Sequence, residues 1–149
     1  MKEIIILRGL PFSGKTTWAE KFKKRREECV SLDIGDIIET LEGVYHREER
    51  WVVVKEMLTS ALQSNHIVII DDVNILSSSL KRIMNIITSY KLMFRESVLV
   101  SIQEFHTPYQ LCVKRAEQAN ADEHELKMIR HYYNHCLRRK IIYNDEENS

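Results

Sequence analysis

The stretch that decides the fold is LRGLPFSGKTTW, Leu7 to Trp18. Gly9-Leu-Pro-Phe-Ser-Gly14-Lys15-Thr16 matches G-x-x-x-x-G-K-[ST] and follows four consecutive aliphatics, Ile4 to Leu7. With glycine near 7% of average usage, the fixed positions match by chance in roughly 1% of chains this size or fewer. A buried strand before the pattern and a helix after it lower that further. Successive main-chain N–H groups in such a turn form a concavity for phosphate oxygens, and the helix start at Lys15–Thr17 adds partial positive charge. The expected function of Gly9, Pro11, Phe12, Ser13, Gly14, Lys15, Thr16 and Thr17 is therefore to hold the phosphates of ATP or another nucleoside triphosphate. Lys15 reaches the β- and γ-phosphates, and the Thr16 hydroxyl is a ligand for Mg²⁺.

Working outward, strand-like runs alternate with helical ones. EIIILR (3–8), CVSLD (29–33), HIVIID (66–71) and SVLVSIQEF (97–105) are short apolar runs that read as strands. Helical spacing marks 15–26, 48–64, 78–91, a segment opened by Pro108 and running to about Ala119, and 122–139. The 48–64 helix places Trp51, Val54, Met57, Leu58, Ala61 and Leu62 together, and the 78–91 helix aligns Leu80, Ile83, Ile87 and Tyr90. The alternation predicts an α/β fold of about four parallel strands with helices on both faces. With the phosphate loop and the kinase resemblance given below, the expected fold class is the P-loop kinase fold. Ligands of such sheets bind at the carboxyl ends of the strands.

The 149 residues suit one domain, 1–149, with a lid region at about 120–126 and a polar tail at 144–149. Lys+Arg and Asp+Glu are 22 each, so the chain lacks the basic excess that holds long nucleic acid by bulk charge. The longest apolar runs, IIIL and IVII, are far short of a membrane span, and the start does not read as a signal peptide. Cys29, Cys112 and Cys136 are an odd three without CxxC spacing, expected as reduced thiols in a cytoplasmic protein.

Two acidic positions extend the site. IVIIDDVN (67–74) ends a buried strand in Asp71-Asp72, the form of a Walker B segment whose carboxylate holds the Mg²⁺ water shell; either aspartate fits. Asp33 stands at the end of the second strand, where a carboxylate can take the proton of an attacking hydroxyl. Asp36 is the alternative base, although it suits the N-cap of a helix beginning near it. His46, Arg47 and Arg50 lie just beyond and are candidates for acceptor contacts, with Asp36 and Asn74.

The sequence resembles the polynucleotide 5′-hydroxyl kinases. The resemblance runs from IIILRGLPFSGKTTWAEKF through IIDDVNI and FHTPYQLCVKR to IIYN, with Asp72-Val-Asn74, Lys114-Arg115 and Tyr143-Asn144 as its more telling parts. It implies transfer of the ATP γ-phosphate to a nucleic-acid 5′-OH, with Asp33 as general base and Arg115 in a lid over the phosphates. Three positions depart from the family. Phe12 stands where glycine is common, Asp36 where an acceptor-binding arginine follows the base, and AEQANADEHE supplies no second lid arginine. Two lost cations would cost transition-state charge stabilisation unless Arg47, Arg50 or Arg130 substitutes. A nucleoside, a small metabolite or a hydroxymethylated base in DNA is the alternative acceptor, and a binding module without transfer is the second alternative.

Two further patterns read as structural. KFKKRREE (21–28) places cations near a helix C-terminus, as dipole compensation does. HYYNHC (131–136) sets His131 and His135 one turn apart beside Cys136, but Tyr132 and Cys136 fit a core-facing stripe better than a zinc site.

Overall fold

A computed structural model of the protein describes residues 1–72 and 77–138. Its elements are β1 (Lys2–Arg8), α1 (Lys15–Lys23), β2 (Cys29–Leu32), α2 (Ile34–Leu41), α3 (Arg47–Ser64), β3 (Ile67–Asp71), α4 (Ser77–Phe94), β4 (Val98–Glu104), α5 (Tyr109–Gln118) and α6 (Glu123–Arg138). The four strands form one sheet in the order β2-β3-β1-β4, and every pairing is parallel. In register, Ile4 pairs Val68 and Val100, so the apolar runs of three strands stack across the sheet. From β1 the chain moves by α1 toward β2, whereas α4 carries it from β3 to the far edge at β4. The loop after β1 therefore opens at the point where the connections diverge, the position at which open sheets bind ligands.

Alternation along the strands divides the core. Ile4, Ile6, Val68 and Ile70 face α3 and α4, where Val54, Leu58, Leu62, Ile83 and Ile87 are buried beside Tyr90. Ile5, Leu7 and Ile69 face the other way against Ala19, with Trp18 and Phe22 of α1 packed alongside. A third cluster joins α5 to α6 through Cys112, Ala116, Ile129 and Cys136, and Leu10 of the loop after β1 completes it. Each fully buried Leu or Ile contributes about 1.5–3 kcal/mol, so the sheet and its helices form a stiff base. The α5–α6 pair, by contrast, has a small core of its own.

The structure moves several boundaries and assignments. Helix α1 stops at Lys23, and Pro108 is the N-cap of α5 rather than a first-turn residue. Met57 is 40% exposed, unlike the other members of its stripe. Helix α2 begins at Ile34, not near Asp36, and its N-cap is Asp33, whose Oδ1 accepts the Asp36 N–H at 2.9 Å. Asp36, expected as the cap, is instead the donor to it.

Tyr132 packs into the α5–α6 cluster where Cys136 is buried, as the core-facing stripe predicts. Among the described residues no group of three or more His, Cys, Asp or Glu could hold a metal, and no helix is long and apolar enough to cross a membrane. Lys23 bonds Ser31 Oγ at 2.8 Å and Glu20 at 3.0 Å, in keeping with a structural cation.

Candidate active site

The turn between β1 and α1 is built for close backbone approach. A Cβ on Gly9 would stand 2.9 Å from Phe105 Cβ, so only glycine fits there. Gly14 has φ 103°, in the left-handed region that glycine enters without penalty. Phe12 has φ 64°, which is costly for a residue with a bulky side chain. That backbone geometry explains why glycine suits this position. The ring packs with the α5–α6 cluster and also lines the cavity.

The loop closes around Lys15, which is 7% exposed. Its Nζ donates to the carbonyls of Gly9 (3.0 Å) and Leu10 (2.7 Å) and to Ser13 Oγ (3.5 Å). Burial lowers the Lys15 pKa, and the negative charges of Asp71 and Asp72 oppose that shift. Two bonds brace the loop from outside. Thr107 Oγ1 donates to Ser13 O at 2.8 Å, and Arg115 Nη1 donates to Phe12 O at 3.3 Å.

Three strand ends converge beneath it. Thr16 Oγ1 donates to Asp71 Oδ2 at 3.0 Å, and Asp71 is buried. Asp72 follows, and a Cβ on Gly35 would lie 2.8 Å from its Oδ1 and 3.5 Å from Asp33 Oδ1. The two carboxylates thus flank the first turn of α2. Partial desolvation raises the Asp33 pKa; the Asp36 N–H works against it, and the charge of Asp71 adds to it.

A cavity of about 940 Å³ gathers Phe12, Ser13, Gly14, Lys15, Thr16 and Thr17 with Asp33 and Arg115. Residues Phe12 to Thr17 of the loop, the expected base and the lid arginine expected from sequence therefore share one hollow, whereas Gly9 and Pro11 are not in its lining. Trp18, Lys21 and Phe105 also line it and were not anticipated, and Glu125, from the lid region expected at about 120–126, lines it as well. A signal for two of them was present, since Trp18 and Lys21 follow Thr17 within about one helical turn.

The acceptor candidates stand elsewhere. The His46 N–H bonds Glu49 Oε1 at 3.3 Å at the start of α3, Arg50 pairs with Glu42 at 3.5 Å, and Arg47 and Asp36 are exposed. None of these four lines the cavity. Arg130 is likewise exposed on α6. Asn74, Tyr143, Asn144 and the polar tail lie outside the described residues.

The parallel sheet with a glycine-bounded loop after its first strand defines an α/β P-loop kinase fold. The chain belongs to the AAA_33 family, described as an AAA domain, whose profile matches residues 4–135. No curated protein matches it.

Among solved structures it is similar to a chain of the Pnkp1/Rnl/Hen1 RNA repair complex, with 22% identity over 93% of this chain and 45% of that one, at a TM-score of 0.67. The APS kinase CysC of Mycobacterium tuberculosis, in complex with AMPPNP and APS, is 18% identical over 80% of this chain and 73% of its own, at 0.58. The shikimate kinase of Acinetobacter baumannii, in complex with shikimate, is 16% identical over 100% of this chain and 84% of its own, at 0.55. The chain spans under half the length of the RNA-repair chain it matches.

Proposed function

We propose that the protein is a Mg²⁺- and ATP-dependent phosphotransferase acting on a hydroxyl. The observation that carries this reading is the cavity shared by the phosphate loop, Asp33 and Arg115, with Thr16 of its lining bonded to Asp71. Main-chain N–H groups and the start of α1 bind the triphosphate, and Lys15 leaves its carbonyl partners to meet the β- and γ-oxygens. Asp33 accepts the acceptor's proton as the acceptor oxygen bonds to the γ-phosphorus; the bond from that phosphorus to the bridging oxygen breaks and ADP departs. A positioned base contributes about 10²–10⁴ in rate. Arg115, already held against the loop, offsets charge on the transferring group.

Thr16 Oγ1 and the Asp71 carboxylate are hard oxygen donors, the chemistry that suits Mg²⁺, and they would hold it. When bound, that ion neutralises charge on the phosphate oxygens.

For the acceptor, a nucleic-acid 5′-OH is favoured by the motif resemblance and by the fold shared with a chain of an RNA repair complex. A nucleoside, metabolite or hydroxymethylated DNA base is the second reading, favoured by the Arg50–Glu42 pair, which engages one expected acceptor cation. The test offers γ-labelled ATP with 5′-OH oligonucleotides, nucleosides and hydroxymethylated duplex DNA in parallel. Label on the oligonucleotide is expected. Label on nucleosides alone removes the polynucleotide assignment, and label on none, with ATP bound, makes the protein a nucleotide-binding module.

A further inference from the structure

The cavity continues past the phosphate loop onto an aromatic wall for which the phosphates have no use. Trp18 and Phe105 both line it, their rings meeting edge to face with centroids 6.2 Å apart. Both rings are fixed. Phe22 stacks on Trp18 at 5.0 Å, the Phe105 N–H bonds Arg8 O at 2.8 Å, and the Phe105 Cβ abuts Gly9. Both remain only half-buried, although the apolar face of α1 beside them is closed by Ala19.

Lys21 lines the same wall one turn beyond Thr17, about 6 Å along the helix axis. A ribose spans a gap of that order between a phosphate at the loop and its base. We propose that Trp18 and Phe105 form the nucleobase subsite, with Lys21 at its edge, and that it holds a purine. A fused two-ring base covers more of this wall than a pyrimidine, and a flat ring stacks on aromatic groups whatever its edge pattern. This rests on the phosphate-loop reading above and adds to it the selection of the nucleotide.

Calorimetric titration with ATP, CTP and inorganic tripolyphosphate, each with Mg²⁺, tests the subsite on the wild-type chain and on Trp18→Ala and Trp18→Phe. ATP is expected to bind wild type about tenfold or more tighter than tripolyphosphate, with CTP between them. Trp18→Ala should lose that advantage and leave tripolyphosphate affinity unchanged, and Trp18→Phe should keep most of it. Full ATP preference in Trp18→Ala overturns the subsite while the phosphate loop stands. An equal loss for ATP and tripolyphosphate makes Trp18 a packing residue and also overturns it. Binding of neither ligand to wild type overturns the phosphate-loop reading itself.

Discussion

Thr16 Oγ1 donates to Asp71 Oδ2 across 3.0 Å, joining the first residues of α1 to the last of β3. Asp71 accepts the bond from the P-loop threonine, and the neighbouring Asp72 lies against Gly35. Asp71→Asn is therefore expected to raise the Mg²⁺ concentration needed for half-maximal rate at least tenfold, and Asp72→Asn to change it less. Initial rates across a Mg²⁺ series check this, and the reverse ranking would assign the metal to Asp72.

The raised pKa of Asp33 makes two linked predictions. A base must be ionised, so the acid limb of kcat/KM should lie above the ordinary aspartate value of 3.8. For stability the sign is opposite. A folded-state pKa above the unfolded one contributes stability below the unfolded value, and that stability is lost as pH rises through the folded value. Asn also caps helices. Asp33→Asn should thus melt at or above the wild-type temperature at neutral pH, and the gap should close in acid below the ordinary range. Thermal melts at several pH values measure it.

Phe12 reverses the usual ranking of alanine over glycine. At φ 64° any side chain costs about 1 kcal/mol relative to glycine, while the ring itself contributes packing to the α5–α6 cluster. Phe12→Gly should therefore be more stable than Phe12→Ala by about 1 kcal/mol, although both lose the ring. Denaturant melts of the two variants, compared at equal slope, test the difference.

Gly35 should behave as a site residue without touching the nucleotide. A methyl there would meet Asp72 Oδ1 at 2.8 Å, closer than real side chains stand. Gly35→Ala is expected to lower kcat about tenfold or more by displacing the carboxylates beside it, with a melting temperature within a few degrees of wild type. Steady-state kinetics set against a thermal melt separate the two effects.

The loop and the sheet were legible because each rests on a local signal: two glycines and a lysine at fixed spacing, and aliphatic runs too short for anything but buried strands. The first turn of α2 was misread because Asp33 and Asp36 are both good caps, and only the backbone at Asp33 (φ −95°, ψ 98°) settles which one is outside the helix. Trp18 and Phe105 were missed for a different reason. They come from α1 and from the residue that follows β4, and only the packing of α1 against the sheet brings their rings together. The place of the acceptor cations was not legible either, since Arg50 and Glu42 meet through the fold and no spacing rule announces the pair.

The most direct measurement is label transfer from γ-labelled ATP by Asp33→Asn at saturating nucleotide, on whichever acceptor the wild type phosphorylates. A loss of about 10²-fold or more in kcat, with ATP affinity retained, is the predicted result. Transfer at the wild-type rate would contradict the assignment of Asp33 as the base.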